Sequence, residues 1–203
     1  MNPWIAIALV LAVLTSSMVL LSAGRYALSA EARRKLLHVE MGLVALGFPW
    51  LFAAAWPVLL LAGLALAWFG LLRACSRLQA WCGPVLEASG RGSIGAIWFV
   101  CGVCLTFLLS NGDAVAYCTA IMVLTLADTA AALVGQRLGR ARKSVEGSLA
   151  FFCVAFAVAF VMLQALAAAL LVALVTTAIE ALLGRGLDNL FVPLGALAAL
   201  GFA

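Results

Sequence analysis

Apolar stretches of about 20 residues follow one another along the chain, and apolar and polar positions do not alternate within them. In lipid, backbone polar groups must be hydrogen bonded within the protein, and the missing alternation argues against a β-barrel. The pattern therefore predicts an all-α, polytopic membrane helix bundle that forms one domain over residues 1–203. Charges, glycines and prolines divide the chain into eight predicted spans: residues 3–23, 36–52, 57–72, 94–110, 114–136, 147–163, 165–183 and 190–203.

Two features of this division need a separate argument. The first apolar run has no Lys or Arg ahead of it and is as long as a full span, so we expect it to be retained and not removed as a secretory signal. The sixth and seventh spans are separated only by Gln164, and merging them would leave seven spans. The eighth predicted span is short and contains Pro193.

The basic residues favour eight spans, because all twelve Lys and Arg fall in odd-numbered connections. The positive-inside rule then places these connections in the cytoplasm and both ends of the chain on the opposite side. Merging the sixth and seventh spans would move Arg185 to that opposite side. The Ala- and Leu-rich composition and the net charge of +4 suit a bacterial inner-membrane protein whose basic loops contact anionic lipid headgroups. We expect no nucleic-acid partner, and a homo-oligomer stays open.

The cysteines predict packing and not metal binding. Cys101 and Cys104 form a CxxC pair, but the chain has no second such pair and only one histidine, His38. All the cysteines lie in or beside apolar runs, where a thiol packs as a small hydrophobic group. They are Cys75, Cys82, Cys101, Cys104, Cys118 and Cys153.

A lone acid, Asp128, lies inside the fifth predicted span, about 12 Å from its cytoplasmic end. A carboxylate at that depth is tolerated when it faces a bundle interior, a polar cavity or a cation, so a functional role is favoured over a structural one. If the helix continues far enough, Gly135 and Gly139 share its face and leave room for a ligand. The same small residues could instead pack against a neighbouring helix.

The segment after this span is strongly basic and contains Arg137, Arg140, Arg142 and Lys143. Ser144 can cap the next helix, and we expect free amide groups near Gly147 and Ser148 to form an anion site at its positive end. The segment is not a Walker A loop, because three residues separate Gly139 from Lys143. Lys143 and the arginines can neutralise phosphate oxygens, while Asp128 and Glu146 can hold a divalent metal. This combination indicates phosphoryl transfer.

The stretch DTAAALVGQRLGRARKSVEGS resembles the conserved block of the CTP-dependent lipid kinases, namely dolichol kinase, phytol kinase and the CTP-dependent diacylglycerol kinase. The blocks RRKLLHVEMG, GRGSIGAIWF and IEALLGRGLDNLFVP are also similar to that family, so the resemblance covers most of the chain from Arg33. It implies that CTP is the phosphoryl donor, with Mg²⁺, and that a membrane-embedded alcohol is the acceptor.

The resemblance and the residue chemistry together give a set of candidate site residues. The candidate catalytic residues are Asp128, Lys143 and His38; those for CTP binding are Gly135, Arg137, Gly139, Arg142, Lys143, Ser144, Glu146, Gly147, Lys35 and Asn189; those for metal binding are Asp128, Glu146, Glu180 and Asp188.

The residues outside the main block allow two interpretations each. Lys35 and His38 lie one turn apart and could face the same site, although His38 could instead be an interfacial residue. Glu40 lies on another face and could pair with Arg or Lys from another span. Glu180 and Asp188 could be metal ligands or simply charges at helix ends.

The leading hypothesis is a kinase that transfers the γ-phosphate of CTP to a phytol-, polyprenol- or dolichol-type alcohol or to diacylglycerol. A phosphatidate cytidylyltransferase is the alternative enzyme, but the chain has no C-terminal K-D…H-G-G…D-R-x-D segment of the kind found in that family. A lipid-binding or transporting bundle is the alternative from another class, although internal repeats typical of transporters are missing.

Overall fold

The computed structural model describes residues 2–23, 29–80, 94–139, 143–184 and 186–201. Within these ranges the chain is helical and contains no strand. The helices are α1 Pro3–Ala23, α2 Ala30–Leu46, α3 Phe48–Leu51, α4 Trp56–Ala74, α5 Gly95–Leu109, α6 Ala114–Arg137, α7 Val145–Leu163, α8 Leu166–Leu182 and α9 Asp188–Leu200. The predicted helical membrane bundle is confirmed.

The helix boundaries follow the predicted spans closely, with one clear difference. The second span was predicted over residues 36–52, but α2 begins at Ala30 and ends at Leu46, and the one-turn helix α3 follows with Pro49 in its first turn. Lys35 therefore lies inside a helix. The break at Gln164 is confirmed, because its backbone adopts the left-handed conformation, with φ of 53°, between α7 and α8.

Four helices are long and apolar enough to cross a membrane: α1, α4, α6 and α7. The helices α5, α8 and α9 are apolar but have 10–17 residues. Because α6 contributes the fully buried side chains of Tyr117, Ile121 and Leu124, it lies at the centre of the bundle. It contacts α2, α5, α7 and α9, and α8 packs between α7 and α9.

The two ends of the bundle differ in charge. The described Lys and Arg residues lie at the end where α1, α4, α6 and α8 finish and where α2, α5, α7 and α9 begin; they are Arg33, Arg34, Lys35, Arg73, Arg77, Arg137 and Lys143. We call this end the basic end. Arg25, Arg91, Arg140, Arg142 and Arg185 fall outside the described residues.

Two glycines on the basic side of the bundle allow helices to approach closely. Gly102 in α5 faces the backbone of α9, and a Cβ atom there would lie 2.3 Å from the carbonyl oxygen of Asn189. Gly186 has a φ of 82°, and a Cβ atom there would lie 2.4 Å from the Cα of Gly95. The start of α9 is thus held against the start of α5, where Asn189 Nδ2 donates to the Gly95 carbonyl at 3.0 Å.

The helix α6 contains a π-helical turn over Val123–Ala127, immediately before Asp128. A π-turn widens the helix and removes backbone carbonyls from the regular hydrogen-bond ladder. One of these carbonyls, that of Thr125, accepts a hydrogen bond from Thr129 Oγ1 at 2.7 Å. The Thr125 side chain lies against Gly42, where a Cβ atom would collide with it. The wide turn therefore sits at the contact between α6 and α2.

The cysteines of the described residues are free thiols, and Cys104 and Cys118 are buried in the bundle. Cys104 belongs to the hydrophobic core together with Phe99 and Val103. This placement agrees with the packing role expected from the sequence. Cys82 lies outside the described residues.

Candidate active site

A buried ion pair joins α2 to α6 near the basic end. Lys35 Nζ lies 2.7 Å from Asp128 Oδ2, and the two side chains are 10% and 19% exposed. A carboxylate and an ammonium that share a buried site stabilise each other's charged form, whereas either group by itself would be costly there. The sequence predicted both residues as site candidates, and the structure brings them into direct contact.

The imidazole of His38 lies close to the carboxylate of Asp128. Its Nε2 is 3.6 Å from Asp128 Oδ2, which is too long for a direct hydrogen bond, and Nε2 has no hydrogen-bond partner in the described structure. The ring donates to the backbone carbonyl of Leu124, so Nδ1 carries that proton. The imidazole also packs against the Phe99 ring in an edge-to-face arrangement, with ring centroids 4.9 Å apart.

The π-helical turn explains how the imidazole finds this acceptor. Leu124 lies within the turn, where the widened backbone leaves a carbonyl available to a side chain. Because His38 is fixed by Leu124 on one side and Phe99 on the other, Nε2 is directed toward Asp128. We call Lys35, His38 and Asp128 the His–Asp cluster.

A second cluster joins the ends of three helices at the basic end. Lys143 Nζ lies 2.9 Å from Glu180 Oε1 and 2.9 Å from Asp188 Oδ2, and it also donates to the backbone carbonyl of Glu180. The other carboxylate oxygen of Glu180 accepts from Ser148 Oγ at 2.9 Å. Lys143 precedes α7, Glu180 is at the end of α8 and Asp188 begins α9. We call these four residues the lysine cluster.

The charge of Lys143 is secured by its two carboxylates. Burial by itself would lower the pKa of Lys143, but Asp188 and Glu180 outweigh it and hold the pKa of the ammonium above its usual value. The group is therefore fully protonated at neutral pH. A cation with two converging carboxylates is a suitable place for phosphate and metal to meet.

The start of α7 confirms one prediction and corrects another. Ser144 is the N-cap residue, and its Oγ accepts from the Gly147 amide at 3.1 Å. We expected the amides near Gly147 and Ser148 to be free for an anion, but Ser148 N also donates, to the Ser144 carbonyl, at 2.9 Å. Both amides are thus used within the helix start. Neither amide is therefore available to an anion at this end.

The glycine face of α6 is divided by the structure. The helix ends at Arg137, so Gly139 does not continue it and instead adopts a φ of 64°. Among the described residues, no atom lies within 4 Å of a Cβ atom built at Gly135 or Gly139. Close packing occurs instead between Ala131 and Gly147, where a Cβ atom would lie 3.2 Å from the Ala131 carbonyl. This contact connects the helix of the His–Asp cluster to the lysine cluster.

One known protein provides an independent comparison. A phytol kinase from Synechocystis sp. is 35% identical to this chain over 183 residues, which cover 82% of this chain and 76% of the relative. The chain belongs to the phytol kinase family. No protein-family model and no solved structure matches it. The protein is therefore a lipid kinase of the membrane, and it acts on a lipid and a phosphate donor.

The candidate metal ligands of this lipid kinase lie in different places. Glu180 and Asp188 converge on Lys143, whereas Asp128 belongs to the His–Asp cluster. Glu146 lies in the first turn of α7. The described residues contain no group of three or more His, Cys, Asp or Glu that could hold a metal ion. The four carboxylates are thus distributed over the basic end, and their metal-binding role stays a prediction.

Two further candidates lie at the same end of the kinase. Arg137 is in the last turn of α6, Asn189 contacts the Gly95 carbonyl, and Arg142 falls outside the described residues. Glu40 accepts a hydrogen bond from Ser17 Oγ of α1, so its described partner is a hydroxyl and not the Arg or Lys that we expected.

Sequence reasoning missed three participants in the site of the kinase. The first is the hydroxyl of Ser148, which donates to Glu180. The other two are the Leu124 carbonyl and the ring of Phe99, which both contact His38. A serine in the first turn after a cap has an obvious local explanation, and apolar residues carry no chemical signal. Only the packing of α2 and α8 against their neighbours reveals them.

Proposed function

We propose that this lipid kinase transfers the γ-phosphate of CTP, in the presence of Mg²⁺, to the hydroxyl of a membrane isoprenoid alcohol of the phytol type. The reaction takes place at the basic end, which by the positive-inside rule faces the cytoplasm of a bacterial inner membrane. The observation that carries the proposal is the buried His–Asp cluster, in a chain that belongs to the phytol kinase family.

The geometry supports His38 as the group that accepts the hydroxyl proton. Because Nδ1 donates to Leu124, Nε2 has a free lone pair, which can accept the proton of an alcohol hydroxyl placed beside it. The proton moves to Nε2 as the hydroxyl oxygen attacks the γ-phosphorus. The bond from that phosphorus to the bridging oxygen breaks, and CDP leaves. The Asp128 carboxylate, 3.6 Å from Nε2, stabilises the imidazolium that forms.

The lysine cluster and the nearby arginines support the phosphate side of the reaction. Lys143 supplies a positive charge at the start of α7, held by Glu180 and Asp188. Glu180 and Asp188 already direct carboxylate oxygens at one cation, the Lys143 ammonium, and hard oxygen ligands of this kind suit Mg²⁺. When bound, Mg²⁺ neutralises charge on the phosphates. Arg137 and Arg142 extend the positive charge along the connection.

The decisive experiment measures label transfer from γ-labelled CTP, with γ-labelled ATP in parallel, to phytol, farnesol, undecaprenol, dolichol and diacylglycerol. Purified protein in detergent with Mg²⁺ should label phytol from CTP. The His38→Asn variant keeps an amide donor for Leu124 but cannot accept the proton. We expect its kcat to fall about a hundredfold or more, with the KM for the alcohol little changed.

The matched control is Gln136→Asn, a change in amide length one residue before the end of α6. This variant should transfer phosphate like the unmodified protein. Label from ATP and not from CTP would refute the donor, and no labelled lipid from either nucleotide would refute the kinase assignment of this chain. A His38→Asn variant with unchanged kcat would remove the proposed proton acceptor.

A further inference from the structure

A narrow apolar cavity of about 80 Å³ lies between α1, α2, α4 and α5. Its walls are formed entirely by aliphatic, aromatic and sulfur-containing side chains, among them Met41, Ala62, Phe99 and Val103. A cavity of this composition excludes water and favours a hydrocarbon ligand. It accounts for none of the phosphate chemistry described above.

The cavity and the His–Asp cluster share a neighbour, the ring of Phe99. Phe99 forms part of its wall, and the same ring contacts His38 with centroids 4.9 Å apart. Along α2, residues at spacings of three and four run from the ion pair to the cavity wall; they are Lys35, His38, Met41 and Ala45, and Phe48 of α3 also lines the wall. One face of α2 thus carries both the candidate reaction centre and part of the cavity wall, and the Phe99 ring contacts both.

The cavity follows this face toward the middle of the membrane. From His38 to Ala45, seven positions further along α2, the helix rises about 10 Å, which is roughly a third of the thickness of the hydrocarbon core. Its wall reaches the outer surface of the bundle, because Ala62, Ala65 and Val100 are only half-buried. A chain that enters from lipid can therefore lie in the cavity with its polar end at His38.

The size and lining of the cavity distinguish between the possible acceptors. Diacylglycerol has two chains and two ester carbonyls next to its hydroxyl, and each ester carbonyl needs a hydrogen-bond donor when it is buried. The lining offers only the weak thiol donor of Cys104. A single-chain isoprenoid alcohol has no polar atom beyond its hydroxyl and leaves no group unsatisfied.

We propose that this cavity binds the hydroxyl-proximal part of one isoprenoid chain, and that it makes the kinase selective for single-chain alcohols over diacylglycerol. The proposal rests on the proposed function for the position of the reacting hydroxyl. The remainder of a long chain continues into the surrounding lipid past Ala62 and Ala65.

The test uses a phytol analogue with a photoreactive diazirine in its isoprenoid chain, bound to purified full-length protein in detergent without nucleotide. Mass spectrometry of the peptides should place the label on the cavity walls, at Met41, Ala62 or Val103. Unlabelled phytol should compete for labelling, and dioleoylglycerol at the same concentration should not.

A pair of variants on α4 provides the control. Ala62→Phe fills the cavity and should reduce labelling about tenfold, which corresponds to lost burial of roughly two methylene groups. Ala67 lies on the exposed side of the same helix and does not line the cavity, so Ala67→Phe should leave labelling unchanged. Ala65→Leu is a second, smaller filling variant if Ala62→Phe does not fold.

Label outside the cavity, label that Ala62→Phe and Ala65→Leu do not reduce, or equal competition by dioleoylglycerol would overturn the proposal. Labelling requires no phosphate transfer, so the two proposals fail separately. A labelled cavity in a protein that phosphorylates no lipid would keep the chain site and refute the kinase mechanism. Phosphorylated phytol together with label outside the cavity would keep the kinase mechanism and refute the chain site.

Discussion

At the scale of single residues, the contact between Lys35 and Asp128 shows how charges are accommodated inside a membrane bundle. Each residue lies within a helix, at 2.7 Å from the other, and neither side chain is more than 19% exposed. The cost of burying one charge is reduced only if its partner is present. Their contribution to stability and their contribution to catalysis can therefore be separated by substitution.

We predict that Lys35→Met and Asp128→Leu each lower the free energy of unfolding by about 3 kcal/mol, because each leaves an uncompensated buried charge. The double variant should recover most of that loss, since an apolar pair of similar volume replaces the ion pair. Unfolding midpoints in detergent measure the stability. Phosphate transfer should be lost in all three variants, including the stable double variant. Additive losses in the double variant would show that the two side chains do not interact.

The sequence predicted Asp128, Lys35 and His38 as site residues, but not their arrangement. Asp128 stood out because a lone acid in an apolar run is costly, and that signal is local. The pairing depends on α2 packing against α6, about 90 residues away in sequence, as the separation of 93 between Lys35 and Asp128 shows. Similarly, Glu180, Asp188 and Asp128 were all predicted as metal ligands. Nothing in the sequence showed that Glu180 and Asp188 contact Lys143 whereas Asp128 contacts Lys35.

At the scale of helices, glycines determine how closely elements approach. We predict that Gly102→Ala destabilises the protein by about 2 kcal/mol or more, because its Cβ atom would lie 2.3 Å from the backbone oxygen of Asn189 and must force α5 and α9 apart. Gly70→Ala in α4 is the matched control. No atom of the described part of the chain lies within 4 Å of its Cβ position, so the helix should gain up to about 1 kcal/mol.

Thermal unfolding of the two variants in detergent provides the comparison. Equal effects would mean that the start of α9 moves without cost and that the Asn189 contact with Gly95 has no structural importance. The loss in Gly102→Ala should be accompanied by reduced phosphate transfer, because Asp188 begins the same helix and contacts Lys143.

Helix boundaries were largely predictable, and the interior of α6 was not. Charges, Gln164 and glycines mark the ends of helices, so the predicted spans coincide with observed helices to within a few residues for all but α2. The π-helical turn has the sequence VLTLA, in which no residue departs from ordinary helical composition. The turn contacts His38 and Gly42 of α2, and no local pattern contains these contacts.

At the scale of the whole molecule, the segregation of charge gives an orientation that can be measured. In a variant without native cysteines, Asn111→Cys should react with a membrane-impermeant maleimide applied to intact bacterial spheroplasts. Arg137→Cys should react only after the membrane is permeabilised. The expectation follows because every described Lys and Arg lies at the basic end, whereas Asn111 lies in the α5–α6 connection at the other end.

The reverse labelling pattern would place the candidate active site outside the cell, where CTP is not supplied, and would contradict the proposed function. Labelling of both cysteines in intact spheroplasts would indicate a mixed orientation. In that case only the inward-facing fraction could act as a kinase.

The lysine cluster has a consequence for the order in which ligands bind. A phosphate that takes the Lys143 ammonium must compete with Glu180 and Asp188, and these carboxylates then lose their counter-charge. On the proposed function, a nucleotide bound at Lys143 would thereby create the demand for a divalent cation at the same place. Thermodynamic reciprocity requires that each ligand strengthens the other by the same factor. Without either ligand, the Lys143 ammonium connects the start of α7 to the end of α8 and the start of α9 through Glu180 and Asp188. On the proposed function, a metal and a nucleotide bound together would replace these contacts at a lower cost than either ligand by itself.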